Sequence, residues 1–473
     1  MQSPTNTDVK VLDLQIVDLQ IVDLQIVDLQ IVDFEIVDLR FPTSEEAHGS
    51  DAVHVDPDYS AAYVVLRTDA ANAIAREGHG LTFTIGRGNE IVCQAIRSMM
   101  PFVVGKSLAE IRADRRAFWR SLAQDSQFRW LGPEKGVMAL AVAAIVNAVW
   151  DLEARAAGKP LWRLLADMPA EELVAAIDFH GIRDAVDEAA CLAMLRANDA
   201  TRAERIARVE REGFPAYTTS CGWIGYSDDT VRARCREGIR DGFTHFKMKI
   251  GQSIEDDVRR ARIIREEIGP DRVLMVDANQ RFDVAQAIDW IKPLAPFNIW
   301  WFEEPISPDD ILGHAEIARA IQPIRVATGE QCQNRVMFKQ FLASGGMQIC
   351  QLDSCRVGGV NDNLAIMALA RRFGVPVCPH AGGVGLCEFV AHLILVDYIR
   401  FNPTMDGRVC EFVDHLHEHF VDPCIVKGGR YLAPQLPGYS GEVKRASIDA
   451  FRFPDGPEWI KRAGTRTAKG VAR

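Results

Sequence analysis

The stretch "THFKMKIG" (residues 244–251) decides how this chain is read. Its middle, "HFKMKI", reads as a buried strand and sets Lys247 and Lys249 two residues apart. Side chains two apart on a strand share a face. Two ammonium groups therefore project together into whatever that strand faces. Buried lysine is costly unless something compensates it.

The pattern recurs along the chain. From about residue 215, "AYTTS", "HFKMKI", "VLMVDAN", "NIWWFEEP", "IRVATGE", "QICQLD", "PVCPH" and "RVCEF" alternate with helical stretches. Alternating strands and helices predict a parallel sheet, and eight such runs predict a barrel. Nearly every run ends in an ionisable residue: Lys249, Asp277, Glu303, Glu330, Asp353, His380 and Glu411, spaced 23–31 residues apart. Each gap fits one strand, one helix and two loops. Active sites of such barrels sit at the C-terminal strand ends. One charge at a strand end commonly just meets solvent; seven in register point to a site.

Asp277, Glu303 and Glu330 end three consecutive strands. Carboxylates aimed at one axis repel each other unless a cation lies among them, and an oxygen-only set favours Mg²⁺. Lys247 and Lys249 flank that set on one side, Asp353 and His380 on the other. A carboxylate beside an imidazole orients it and raises its basicity. The layout suits removal of a proton next to a carboxylate, with the metal neutralising charge on the carboxylate oxygens. A second lysine and a nearby dication both lower the pKa of a lysine base. A protonated Glu411 would donate a further hydrogen bond to the substrate.

These residues, with "KMKIG", "VDANQRFD", "WFEEPISPDDILGHA", "ATGEQCQNRVMFKQ", "RVGGVNDNLAI" and "CPHAGGVGLCE", resemble the enolase superfamily, mandelate racemase subgroup. The use of a Lys or His base with Mg²⁺ is a known pattern of that superfamily. The resemblance runs from about residue 33 to about residue 460. It implies an α/β fold, a modified (β/α)7β TIM-like barrel with an N-terminal α+β capping domain completed by the C-terminal segment. It implies Asp277, Glu303 and Glu330 as Mg²⁺ ligands, Lys249 as the base at C2, and Asp353 with His380 as the acid dyad. Lys247, Asn279 and Glu411 would touch substrate, and Glu304 would point to the other face of its strand. The implied activity is a Mg²⁺-dependent hydro-lyase that converts the sugar acid L-fuconate to 2-keto-3-deoxy-L-fuconate and water. Dehydration or racemisation of another aldonate, or a catalytically silent scaffold, are the alternatives. Homo-oligomers occur on this fold, so a homo-oligomer is expected.

Residues 12–41 repeat with period five, from "LDLQI" to "VDLRF". An odd period flips the apolar face with every copy. The units resemble the pentapeptide-repeat family, but six make little more than one coil with no stacked neighbour. A tandem expansion of a true first strand, "FEIVDLRF", is the simpler reading. The expected layout is then an extension over 1–31, a capping domain over 32–170, the barrel over 171–412, and a segment over 413–473. That last segment would pack back on the capping domain and end in a disordered tail. Loops at 43–61 and 84–90 would close over the barrel mouth.

The chain has 473 residues, 48% of them hydrophobic, and a formal net charge of −11. An acidic chain argues against nucleic acid and anionic membranes as partners. The 11 cysteines include no CxxC pair, which fits a reducing compartment. "VMALAVAAIVNAVW" is too short to span a bilayer and reads as a buried helix. With no signal or transit pattern, the cytoplasm is the expectation. "GRGNE" lacks the third glycine of a dinucleotide fingerprint. His415, His417 and His419 in "DHLHEHF" suggest zinc, but no Cys spacing supports it there. Cys332 and Cys387 read as packing residues.

Overall fold

A computed structural model of the chain describes residues 28–46, 49–71 and 75–468. Among these the repeat is a single strand, β1 (Ile31–Arg40), and the earlier pentads lie outside the described residues. β1 pairs antiparallel with β2 (Ser60–Thr68), and β2 with β3 (Glu77–Thr84). A bulge between Ile31 and Asp33 marks the junction of two copies, where a period of five forces neighbours out of phase. The expected start at residue 32 is too late. Leu108 N donates to Leu29 O, Gln30 bridges Ser107, and Ile31 is fully buried. Residues 29–31 thus join the sheet to the start of the helix Leu108–Ala113.

The helix Gly136–Ala156 lies across this sheet. Gly78 and Gly80 of β3 allow the approach, since a Cβ at Gly80 would sit 2.2 Å from Ala144 O. The helix is longer than its apolar run, because "DLEARA" adds a last turn and a half. By length and hydropathy it could cross a membrane, but 94% of its most apolar stretch is buried inside the protein.

The barrel follows. β4 (Phe214–Thr218), β5 (His245–Lys249), β6 (Val273–Asp277), β7 (Ile299–Glu303), β8 (Arg325–Thr328) and β9 (Ile349–Cys350) run parallel in chain order. β10 (Cys410–Phe412) pairs parallel with β4 and closes the ring. The strand expected at "PVCPH" is reduced to one bridge between Val377 and Cys350, with Glu411 N donating to Pro379 O. Pro376 and Pro379 have no N–H to give a ladder, so this stave stays short. A helix follows each of the first seven staves. β10 leads instead to the hairpin β11 (Val426–Lys427) and β12 (Arg430–Tyr431), which pairs back on β4. The architecture is the expected (β/α)7β barrel with an α+β cap.

Strand register sets the depth of each site residue. Tyr217, Met275, Trp301, Ala327, Ile349, Cys378 and Val409 form a buried cluster inside the barrel. Lys247 is in register with Met275, so it stands in that layer. Lys249, Asp277 and Glu303 are in register two residues further on, toward the mouth. The C-terminal segment returns to the cap: Leu39 bridges Arg452, and Trp459 Nε1 donates to Arg40 O.

Candidate active site

A cavity of about 320 Å³ opens at the C-terminal ends of the strands. That is the size of a small-molecule site. Lys249, Asn279, Glu330, Asp353, His380 and Glu411 line it from the barrel. Lys247, Asp277 and Glu303 do not. They lie beneath it, each almost wholly buried.

Lys249 Nζ donates to Asp277 Oδ2 at 2.6 Å and to Asn279 Oδ1 at 2.8 Å. Asn279 reaches it because the chain turns left-handed directly after β6, with φ 44° at Asn279 and 67° at Gln280. Lys247 Nζ is 2.6 Å from Glu303 Oε1, 2.7 Å from Glu411 Oε1 and 3.3 Å from Asp277 Oδ2. Its ammonium is thus spent on protein carboxylates, not on the cavity. Lys247, expected near the substrate carboxylate, lies one strand alternation deeper than Lys249 and is bonded to these three carboxylates.

The electrostatics depart from expectation in the same way. Burial opposes charge on Lys249, and Lys247 lowers its pKa as expected, but Asp277, with Asp51 and Glu330 behind it, holds it above the ordinary lysine value. Lys247 is likewise held protonated against burial, chiefly by Glu303 and Glu411. At rest Glu411 is ionised rather than a protonated donor. Burial would raise its pKa, but Lys247 and His380 bring it below the usual value, and Oε2 accepts from Ala381 N at 2.8 Å. Burial and the neighbouring Asp277 push Glu303 up to about 8.

His380 Nδ1 donates to Asp353 Oδ2 at 2.7 Å. Asp353 Oδ1 accepts from Cys355 N and Arg356 N, which fixes the dyad. His380 Nε2 faces Glu330 Oε2 at 3.5 Å and Glu411 Oε2 at 3.8 Å. Burial disfavours charge on the imidazole, but Glu330, Asp353 and Glu411 together push it up to about 10. Gly382 N also points at Nε2 from 3.1 Å, which suits a lone pair there. Three carboxylates outweigh one backbone dipole, so the resting imidazole is an acid.

Asp277, Glu303 and Glu330 offer only carboxylate oxygens, the donor set of a hard divalent cation. Burial raises the pKa of Glu303 most, and repulsion from Asp277 adds to it; a cation among the carboxylates would relieve the repulsion. The donor chemistry fits Mg²⁺.

Two family descriptions match this chain. "Mandelate racemase / muconate lactonizing enzyme, N-terminal domain" covers residues 52–166, and "Enolase C-terminal domain-like" covers residues 230–447. The chain belongs to the enolase superfamily. Within the superfamily it is 51% identical over 421 residues to the L-galactonate dehydratase of Hypocrea jecorina, 88% of this chain and 92% of that one. The crystal structure of human mitochondrial enolase superfamily member 1 superposes with a TM-score of 0.91 at 51% identity, covering 92% of this chain and 99% of that one. At the level of fold it matches L-talarate/galactarate dehydratase from Salmonella typhimurium LT2, solved with Mg and L-lyxarohydroxamate. That match has a TM-score of 0.68 at 23% identity over 89% of this chain and 92% of that one.

In this superfamily member the cap completes the cavity with Asp51, His54, Tyr59 and Arg87, from the two loops expected to cover the mouth, and with Phe83 from the end of β3. Asp51 Oδ2 accepts from His54 Nδ1 at 2.9 Å and raises its pKa against burial. Neither residue was singled out in the sequence; their one signal was a polar loop placed opposite the strand ends. Glu304, expected off the site-facing side of its strand, is buried and does not line the cavity. β7 ends at Glu303, Glu304 turns left-handed (φ 41°), and its carboxylate accepts from Gln280 Nε2 at 3.0 Å.

Proposed function

We propose that this protein is a Mg²⁺-dependent dehydratase of a six-carbon sugar acid, with L-fuconate as substrate. The observation that carries the reading is that Lys249, Glu330 and the Asp353–His380 dyad line one cavity directly above Asp277 and Glu303, so that three carboxylates of the donor type a hard cation takes lie between base and acid. Asp277, Glu303 and Glu330 would hold Mg²⁺, which supplies positive charge to the substrate carboxylate oxygens as C2 loses its proton. Lys249, once its own proton is shed, takes the proton from C2. His380, an acid held by Asp353, gives its proton to the departing 3-hydroxyl, which leaves as water. The C2 hydroxyl then gives up its proton as C3 gains one, and the 2-keto-3-deoxy acid results. Asp51, His54 and Tyr59 exclude bulk water from the cap side.

The relative named L-galactonate dehydratase supports a second substrate on this same site. L-Fuconate is the 6-deoxy form of L-galactonate, so the two acids differ only in a hydroxyl at C6. A pocket that does not bond that hydroxyl discriminates by roughly 10–200-fold. The test is kcat/KM on both acids with and without chelator. Mg²⁺-dependent release of keto acid, faster from L-fuconate, is expected. Turnover of neither acid would end the dehydratase reading, and a strong preference for L-galactonate would end the L-fuconate one.

A further inference from the structure

Away from the cavity, Cys387, His417 and Cys424 bring two sulfurs and an imidazole nitrogen within 4.8 Å of one another. They come from distant places. Cys387 opens the helix Leu386–Val396, and the other two follow β10 in the C-terminal segment. His415 and His419 turn elsewhere, onto the rings of Tyr59 and Phe41.

His417 Nε2 lies 2.6 Å from Val413 O, so it carries the hydrogen. That leaves Nδ1, which faces Glu388 Oε1 at 2.7 Å and Cys424 Sγ at 3.5 Å. A neutral Nδ1 and a carboxylate oxygen are both acceptors. At that distance they share a proton, and a cation bound here would take the proton's place as Nδ1 and the carboxylate turn to it. Metal-bound histidines characteristically donate their other ring N–H to a backbone carbonyl, as His417 does. Glu388 is 1% exposed, and its second oxygen, Oε2, is buried with no hydrogen-bond partner. Two thiols, an imidazole and a carboxylate are the donors of a Zn²⁺ site, whereas Mg²⁺ prefers oxygen alone.

We propose that Cys387, His417 and Cys424, with Glu388 as fourth donor, bind Zn²⁺ and pin the C-terminal segment to the barrel. The pin lies behind the mouth. Cys387 Sγ is 3.6 Å from Ala381 O, and Ala381 N holds Glu411. Tyr431, on the same segment, donates to Glu411 O. The site is a brace for the His380–Glu411 side of the cavity and takes no part in the chemistry.

The test uses the full chain, with excess Mg²⁺ to fill the oxygen site. Added Co²⁺ reports thiolate ligation by a ligand-to-metal charge-transfer band in the near ultraviolet. One tightly held Zn²⁺ and, after exchange, that Co²⁺ band are expected. Cys424→Ser abolishes both, and Cys93→Ser, in the helix Asn89–Met99, leaves both intact. In wild-type protein Zn²⁺ should also slow alkylation of Cys387 and Cys424, mapped by mass spectrometry, a readout that needs no variant to fold. The absence of the band, its persistence in Cys424→Ser, equal alkylation with and without Zn²⁺, or a Cys387–Cys424 disulfide in the purified protein would each overturn the proposal.

Discussion

Lys247 Nζ lies 2.6 Å from Glu303 Oε1, one barrel layer beneath Lys249. The two lysines that open the reading of this sequence therefore have separate environments. Lys249 faces the cavity, and Lys247 is the buried counter-ion of Glu303, Glu411 and Asp277. Removing one partner of a buried ion pair costs about 3–5 kcal/mol, because the other charge is stranded. Lys247→Met should destabilise the protein by about that much in urea unfolding. A variant as stable as wild type would show that the three carboxylates do not depend on this ammonium.

The roles of Lys249 and His380 separate by isotope exchange. In D₂O, Lys249→Ala should lose both C2 proton exchange and dehydration. His380→Asn should keep exchange at C2 while dehydration falls by about 10²–10⁴, the usual range for one acid–base group. Proton NMR of the recovered substrate reads both. Exchange that survives in Lys249→Ala would move the base elsewhere.

Metal binding and the charge of Lys249 are linked through Asp277. This carboxylate keeps the lysine protonated, and a base must be deprotonated to work. A cation drawn to Asp277 weakens that hold and lowers the lysine pKa. Activity rises with pH through this pKa, so the rising limb of kcat/KM should move to lower pH as Mg²⁺ is raised. A limb that stays fixed across Mg²⁺ concentrations would separate Lys249 from the metal site.

Much of this was legible because strand ends recur at regular spacing in a (β/α) barrel. Asp277, Glu303, Glu330, Asp353, His380 and Glu411 each follow an apolar run, and the fold brings all of them to the mouth or just beneath it. Depth was not legible. Whether Lys247 or Lys249 meets the cavity depends on strand stagger, which no single strand encodes. Asp51 and His54 sit in a loop without periodicity. Cys387, His417 and Cys424 meet only through the tertiary fold, so spacing in "DHLHEHF" could not reveal them.

The repeat offers a test of where the fold begins. Asp28 Oδ1 accepts from Ala109 N, Leu29 O accepts from Leu108 N, and β1 starts at Ile31. Deleting residues 2–26 should leave turnover and thermal stability unchanged. Deleting residues 2–36 removes six of the ten residues of β1 and should lower the melting temperature sharply. A large loss of activity in the shorter deletion would give the early pentads a role.

His392 should make the protein acid-sensitive. It is fully buried, its Nδ1 accepts from Trp162 N at 3.2 Å, and its Nε2 donates to Ser440 Oγ at 2.9 Å. Ser440 in turn donates to Asp422 Oδ2 at 2.6 Å. Both ring nitrogens are thus used by a neutral imidazole, and burial lowers its pKa to about 3. An unfolded histidine titrates near about 6.5. Between these values the unfolded chain binds a proton that the folded one refuses, so stability falls as pH drops, by up to about 1.4 kcal/mol per unit. From about pH 7 to about pH 5 the loss from this one group is about 2 kcal/mol. His392→Gln keeps an acceptor and a donor but cannot titrate. It should start less stable at neutral pH and then lose about 2 kcal/mol less than wild type over that interval, read from unfolding curves at both pH values. Equal losses in the two proteins would mean that His392 is protonated in the fold, and that its bond from Trp162 N is not made.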